Sequence, residues 1–350
     1  MKLELLDPYS SSAERIWQDL EAASKPAYFL TWAWVSNWLA CLPRPHAPAL
    51  AVIIAAGVPL AAFFLTKRLI VRSRLMLSRT LYFNTSGRPR VDLLWIEYNG
   101  LIGHDIPLAE LLPLLPFGWD EMHLPGLRAN AFGDLTTTRD TRIVIDRSAP
   151  ARYVDLAKAR VKGYLATLSG QTRSQVRRAQ REAGEMIVEV ASDSAGAIDI
   201  YSEMTSLHAA QWRAKGKPGA FADPWFDRFH RKLITDRFAH GEIQLLRVRN
   251  AQGPIGCLYN FVHGGRVLQY QSGFQTFENE RLKPGFICHA AAIEHAIAHG
   301  HDVYDFLGGG QRYKKQLATD ETTLLWVRVQ RRRLRFFVED HVRRWRDKRT

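Results

Sequence analysis

Along the second half of the chain, apolar positions change period in a regular order. Over 197–214, and again over 223–239, they recur at helical spacing, and Asp223-Pro224 supplies a cap followed by a first-turn proline. Three strand-like runs follow, at 243–248, 255–262 and 266–273. They are separated by Asn250-Ala251-Gln252-Gly253-Pro254 and His263-Gly264-Gly265, which are turn chemistries, and together they predict an antiparallel meander. A helix over 285–299, a short strand over 302–306 and a strand over 322–330 complete this half. The set predicts an α/β (α+β) architecture, a mixed, mostly antiparallel sheet flanked by helices.

The first half repeats this order in fainter form. Phe29-Leu30-Thr31-Trp32 opens a helix much as Phe221-Ala222-Asp223-Pro224 does. Residues 49–65 carry no charge for 17 positions, near the lower limit of about 17–25 for a bilayer helix. Gly57-Val58-Pro59 at its centre points instead to a buried hairpin. A helical run is expected over 105–115. Trp119 to Gly126 then echoes Asp302 to Gly309. Two copies predict a duplicated fold rather than a solenoid. The expected division is a degenerate lobe over 1–150, a second lobe over 151–330 and a basic amphipathic helix over 331–350. The linker falls near Arg147-Ser148-Ala149-Pro150. In the terminal helix, Leu334, Phe337, Val338, His341, Val342 and Trp345 form one apolar stripe. Such a helix docks on its own domain or lies on a membrane surface.

Charge sharpens this picture. The chain of 350 residues has a net charge of +13. Segments 152–181 and 328–350 are each +7, leaving −1 for the remainder. Such blocks attract polyanions or anionic lipid surfaces, or form solvated helix faces. The N-terminus shows no signal-like apolar run, and Cys41, Cys257 and Cys288 are widely spaced, which predicts reduced, packed thiols in a cytoplasmic protein. Neither a metal-ligand spacing nor a Gly-x-Ser-x-Gly elbow appears, so no metal and no serine triad are expected.

The densest candidate chemistry is Asp305-Phe306-Leu307-Gly308-Gly309-Gly310-Gln311-Arg312-Tyr313-Lys314, a strand end, a glycine loop and a phenol–ammonium pair. Further pieces are Leu168-Ser169-Gly170-Gln171-Thr172-Arg173 with Arg177-Arg178, Gln211-Trp212, Tyr270-Gln271-Ser272-Gly273 and Lys283-Pro284-Gly285. Over roughly 155–320 the chain resembles the GNAT-fold acyltransferase-like proteins associated with cellulose and exopolysaccharide biosynthesis (BioF2-like domains), themselves similar to Fem-type aminoacyl transferases of peptidoglycan synthesis. The tandem arrangement is likewise similar to the two GNAT-like lobes of Fem-type proteins. The resemblance implies an acyl-CoA or aminoacyl donor held by the second lobe and an amine acceptor held between lobes. It departs from acetyl-CoA enzymes at Arg281-Leu282-Lys283-Pro284-Gly285-Phe286, where one glycine stands in place of a Gly-x-Gly diphosphate turn.

Within that frame Lys314 is expected to stabilise a developing oxyanion or neutralise a donor phosphate. Tyr313 is expected to protonate the leaving group, and Asp305 to orient an amine or accept its proton. Gly308, Gly309 and Gly310 predict close ligand approach or a mobile lid. Lys283, Pro284 and Gly285 are placed at a donor phosphate. Arg173 and Arg177, with Gln211, Trp212, Tyr270 and Gln271, are assigned to substrate; His208 is expected to be structural. The expected function is N-acyl transfer from acyl-CoA to an amine, such as an amino sugar or envelope precursor. A Fem-like reaction with aminoacyl-tRNA and a non-enzymatic anionic polymer or membrane-surface binder are the alternatives.

Overall fold

The computed structural model describes residues 1–72, 76–94, 96–116 and 118–339. Strands are β1 Lys2–Leu6, β2 Ala49–Ala55, β3 Val58–Arg72, β4 Met76–Phe83, β5 Ile102–Gly103, β6 Glu121–Arg128, β7 Thr141–Asp155, β8 Ile187–Val190, β9 Ile243–Asn250, β10 Gly253–His263, β11 Arg266–Phe274, β12 Val303–Gly308 and β13 Asp320–Arg331. Helices are α1 Ser11–Ser24, α2 Trp32–Cys41, α3 Leu108–Leu111, α4 Leu156–Lys162, α5 Tyr164–Thr167, α6 Gly170–Ala183, α7 Ser194–Arg213, α8 Pro224–Arg237, α9 Pro284–Ala298 and α10 Arg312–Leu317. The chain forms two compact units, one of residues 1–148 with 324–350 and one of residues 149–323.

In the first unit, β1, β2, β3 and β4 are successive antiparallel neighbours, β6 joins β4 in parallel, and β13 joins β6 antiparallel. The 17-residue uncharged run is the β2–β3 hairpin, turning at Ala56 and Gly57, both with positive φ. Its apolar residues enter a core with Leu81, Phe83, Trp119, Met122 and Leu124. The helix expected over 105–115 is a correction. Only α3 and a 3-10 turn at Leu112–Leu114 form, because Pro107 and Pro113 interrupt the backbone hydrogen bonding. Residues 334–339 are helical, but Leu334, Phe337 and Val338 of the expected apolar stripe are exposed, while Phe336 is buried. His341, Val342 and Trp345 lie outside the described residues.

The second unit has the same order: β8, β9, β10 and β11 antiparallel, β12 parallel to β11, and β7 antiparallel to β12. The architecture is mixed α/β with helices flanking the sheet. The strand expected to close the second lobe at 322–330 instead pairs with β6, and the sixth strand of the second unit is the end of β7. α4, α6 and α9 pack with Leu246, Val248, Leu258, Tyr304 and Phe306 in one core. On the other side α7 lies so close to β11 that a Cβ at Gly273 would stand 2.2 Å from the Met204 carbonyl oxygen and 2.9 Å from Leu207 Cβ. The N-terminus of α8 forms as expected, Asp223 accepting from the Trp225 N–H at 2.8 Å.

Candidate active site

Two parallel strands define the place where chemistry can occur. β11 and β12 pair only through Arg266, Val267 and Leu268 opposite Val303, Tyr304 and Asp305, although β11 continues to Phe274 and β12 to Gly308. Just past the last pair, Tyr259 faces Gln271 and Asn260 faces Gln269, so Tyr270 is an extra residue in the ladder. Such a bulge ends regular pairing and re-aims the local backbone. Tyr270 and Gln271 are both buried there, and the Tyr270 ring packs on Phe261 at 4.8 Å and His230 at 5.0 Å.

Beyond Phe306 the last-but-one residue of β12, Leu307, is left-handed, with φ 60°. For a leucine that conformation costs about 1–2 kcal/mol, and two predicted site residues hold it. Asp305 is fully buried; its Oδ1 accepts from the Leu307 N–H at 2.8 Å and its Oδ2 from Arg266 Nη2 at 2.7 Å. Lys314, on α10 and only 6% exposed, donates from Nζ to the carbonyls of Gly308 at 2.9 Å and Leu307 at 3.3 Å. Gly309 donates to the Pro150 carbonyl at 2.9 Å and accepts from Arg152 Nη1 at 3.4 Å. The glycine segment is therefore tied at Gly308 and Gly309, while Gly310 is exposed.

Tyr304 and Phe306 enter the α9 core, so strand alternation sends Asp305 to the opposite face. Tyr313 packs on the α9 side, with its ring stacked against His289 at 5.2 Å and an interplanar angle of 10°. The structure thus separates Asp305 from Tyr313 and introduces His289, which sequence reasoning missed. Its signal was one imidazole in the apolar helix segment Phe286-Ile287-Cys288-His289-Ala290. His289 Nδ1 lies 3.1 Å from the Tyr304 hydroxyl, and Nε2 is shielded from solvent without a protein partner. Burial, with the nearby Lys314 ammonium, pulls the His289 pKa down to about 3. Burial pushes the Tyr313 phenol up to about 12. At neutral pH the pair is a neutral imidazole against a protonated phenol.

At the start of α9, Pro284 has no N–H, and the Phe286 N–H donates to the Lys283 carbonyl at 3.0 Å, leaving the Gly285 amide for an incoming anion. Lys283 Nζ donates to Gln175 Oε1 of α6 at 2.9 Å. α6 carries Arg173, half-buried, and the exposed Arg177 and Arg178. On α7, half-buried Trp212 lies 5.7 Å from the His208 ring, which meets Phe221 edge-on at 4.9 Å; Gln211 is half-buried beside it. Burial and Lys215 lower the His208 pKa to about 4. Among the described residues no group of three or more His, Cys, Asp or Glu side chains could hold a metal, and no helix is long and apolar enough to cross a membrane.

Antiparallel meander, parallel fifth strand and bulged fourth strand define a GNAT-type transferase fold. Residues 170–315 match the acetyltransferase (GNAT) domain family. Solved structures similar to the chain include FemX, at 10% identity and TM-score 0.54, covering 93% of this chain and 97% of that one. L-PGS from Bacillus licheniformis is similar at 10% identity and TM-score 0.51, covering 95% of each chain. The C-terminal domain of a putative lysylphosphatidylglycerol synthetase from Agrobacterium fabrum is similar at 11% identity and TM-score 0.50, covering 91% of this chain and 92% of that one. No curated protein sequence matches the chain.

Proposed function

We propose that the second unit transfers an acyl group from acyl-CoA to an amine, with the reacting carbonyl seated where β11 and β12 part. The observation that carries this reading is the protonated Tyr313 phenol, braced by the neutral His289 ring beside the end of β12. The amine attacks the thioester carbonyl directly, the tetrahedral oxyanion collapses with cleavage of the C–S bond, Tyr313 gives its proton to the departing thiolate, and the resulting phenolate takes up the proton that the former amine nitrogen sheds. Lys314 and Asp305 act as positioning residues: their charges are bound to the peptide groups that fix the Leu307 turn. The acceptor class is an amino sugar or related envelope precursor, and the reaction takes place in the cytoplasm.

A second reading has aminoacyl-tRNA as donor. It is favoured by the thin anion cradle at α9, one amide with the neighbouring lysine engaged by Gln175, and by the arginines of α6. Both readings use the same turn. Thiol release from acetyl-CoA and longer acyl-CoAs, measured with amino-sugar acceptors, tests the first; Tyr313→Phe is expected to lower kcat by about 10²-fold. Full kcat in Tyr313→Phe removes the phenol from the mechanism. Absence of thiol release together with salt-sensitive tRNA binding transfers the assignment to the second reading.

A further inference from the structure

The first unit holds a cavity of its own, lined by residues none of which belongs to the second unit. β3 outruns its neighbour: β2 begins at Ala49, opposite Leu65, so β3 beyond Leu65 has an open edge on that side. A cavity of about 440 Å³ lies along this edge, lined by His46, Lys67, Arg68, Ser86 and Arg88 together with apolar residues including Leu65 and Leu81. None of its lining residues is acidic. Lys67 and Arg68, as strand neighbours, flank the edge from its two faces. Arg68 is steered there by donating to the Gly87 carbonyl. Arg88 is set by its own turn, its N–H donating to Ser86 Oγ at 3.1 Å and its carbonyl accepting from Asp92 N–H at 2.9 Å. Asp92, which does not line the cavity, accepts from the Ser86 N–H at 2.9 Å and its hydroxyl at 2.8 Å and so holds this turn in place. His46 Nδ1 is shielded and has no protein partner.

Three cations and an imidazole around a partly apolar cavity require a ligand with concentrated negative charge on a compact carbon body. We propose that this cavity binds an organic phosphate ester, its phosphoryl oxygens held by Arg68, Arg88 and Lys67 and its carbon portion against Leu65 and Leu81. A guanidinium fork matches phosphate oxygens, and a phosphate uses three or more donors at once. The cavity exceeds what inorganic phosphate alone would fill, so the apolar wall adds affinity for the ester.

The probes are inorganic phosphate, glycerol 1-phosphate and phosphatidylcholine vesicles containing phosphatidic acid. Saturable shifts of the His46 ring resonance with phosphate, tighter with glycerol 1-phosphate, are expected in the full chain. Arg88→Gln should weaken glycerol 1-phosphate binding by about tenfold or more, the loss of one charge-assisted contact. Lys67→Gln is a second variant that leaves the Gly87 contact intact. Arg228→Gln, an exposed cation on α8, should change nothing. Binding of soluble ester identifies a free ligand, while vesicle co-sedimentation abolished by Arg88→Gln identifies a lipid headgroup; either supports the site. Failure of both, or equal weakening by Arg228→Gln, overturns it.

Discussion

Replacing Lys314 by methionine keeps the length and apolar stem of the side chain and removes its charge. In the native turn the ammonium donates to the Gly308 and Leu307 carbonyls. Hydrogen bonds to a charged group are worth about 1.5–3 kcal/mol each, and the left-handed Leu307 stores about 1–2 kcal/mol that only such contacts retain. The variant should lose roughly 2–4 kcal/mol of stability, less than the full sum because the freed turn relaxes toward ordinary φ. Relaxation also displaces Tyr313, one residue earlier on α10, and a misplacement of about 1 Å costs on the order of 10² in rate. Urea unfolding gives the first quantity, and steady-state thiol release gives the second. A variant with the parent's urea midpoint and the parent's kcat/KM would refute the claim that Lys314 fixes this turn. Loss of activity at undiminished stability would instead place its charge on the reacting oxygen.

Acid titration probes the first unit. Glu121 is fully buried; burial alone would raise its pKa, but hydrogen bonds from His123 and Gln330, with the His123 and Arg72 charges, bring it from 4.5 down to about 2. A depressed carboxylate contributes stability that is complete above its unfolded pKa and is lost as pH falls toward 2, here about 3 kcal/mol. Glu121→Gln should flatten that acid limb and cost about 3 kcal/mol near neutral pH, Arg72 keeping Glu339 and Arg328 keeping Asp146 as partners; an unchanged acid midpoint would contradict it. With Tyr313 near 12 and His289 near 3, neither titrates around neutrality, so the rate ratio of parent to Tyr313→Phe should stay level from about pH 5 to 9. A ratio that changes tenfold across that range would show that another group supplies the proton. Gly273→Ala should destabilise by about 1–3 kcal/mol, since its Cβ would meet the Met204 carbonyl oxygen at 2.2 Å; an unshifted thermal midpoint would show that α7 yields freely.

Much of this architecture was legible because it rests on local chemistry. Apolar spacing placed α7, α8, α9 and the β9–β10–β11 meander, Asp223-Pro224 marked a helix start, and Gly57 and proline turned an apolar run into a hairpin. Lys314, Tyr313 and Asp305 were singled out by their position after a strand, and the structure does bring Asp305 and Lys314 to one turn. What they do there was not legible. Period-two alternation says which strand residues share a face, but the imidazole that stacks on Tyr313 comes from α9, which contact along the chain does not announce.

The strand exchange shows the same limit more sharply. β13 was expected as the closing strand of the second lobe, whereas β7 runs through the stretch near Arg147-Ser148-Ala149-Pro150 that was expected to be a linker. Only the folded chain assigns β13 to β6 and β7 to β12. A strand's own residues set its pleat and its buried side; its partner is decided by hydrogen bonds and packing between segments far apart in sequence.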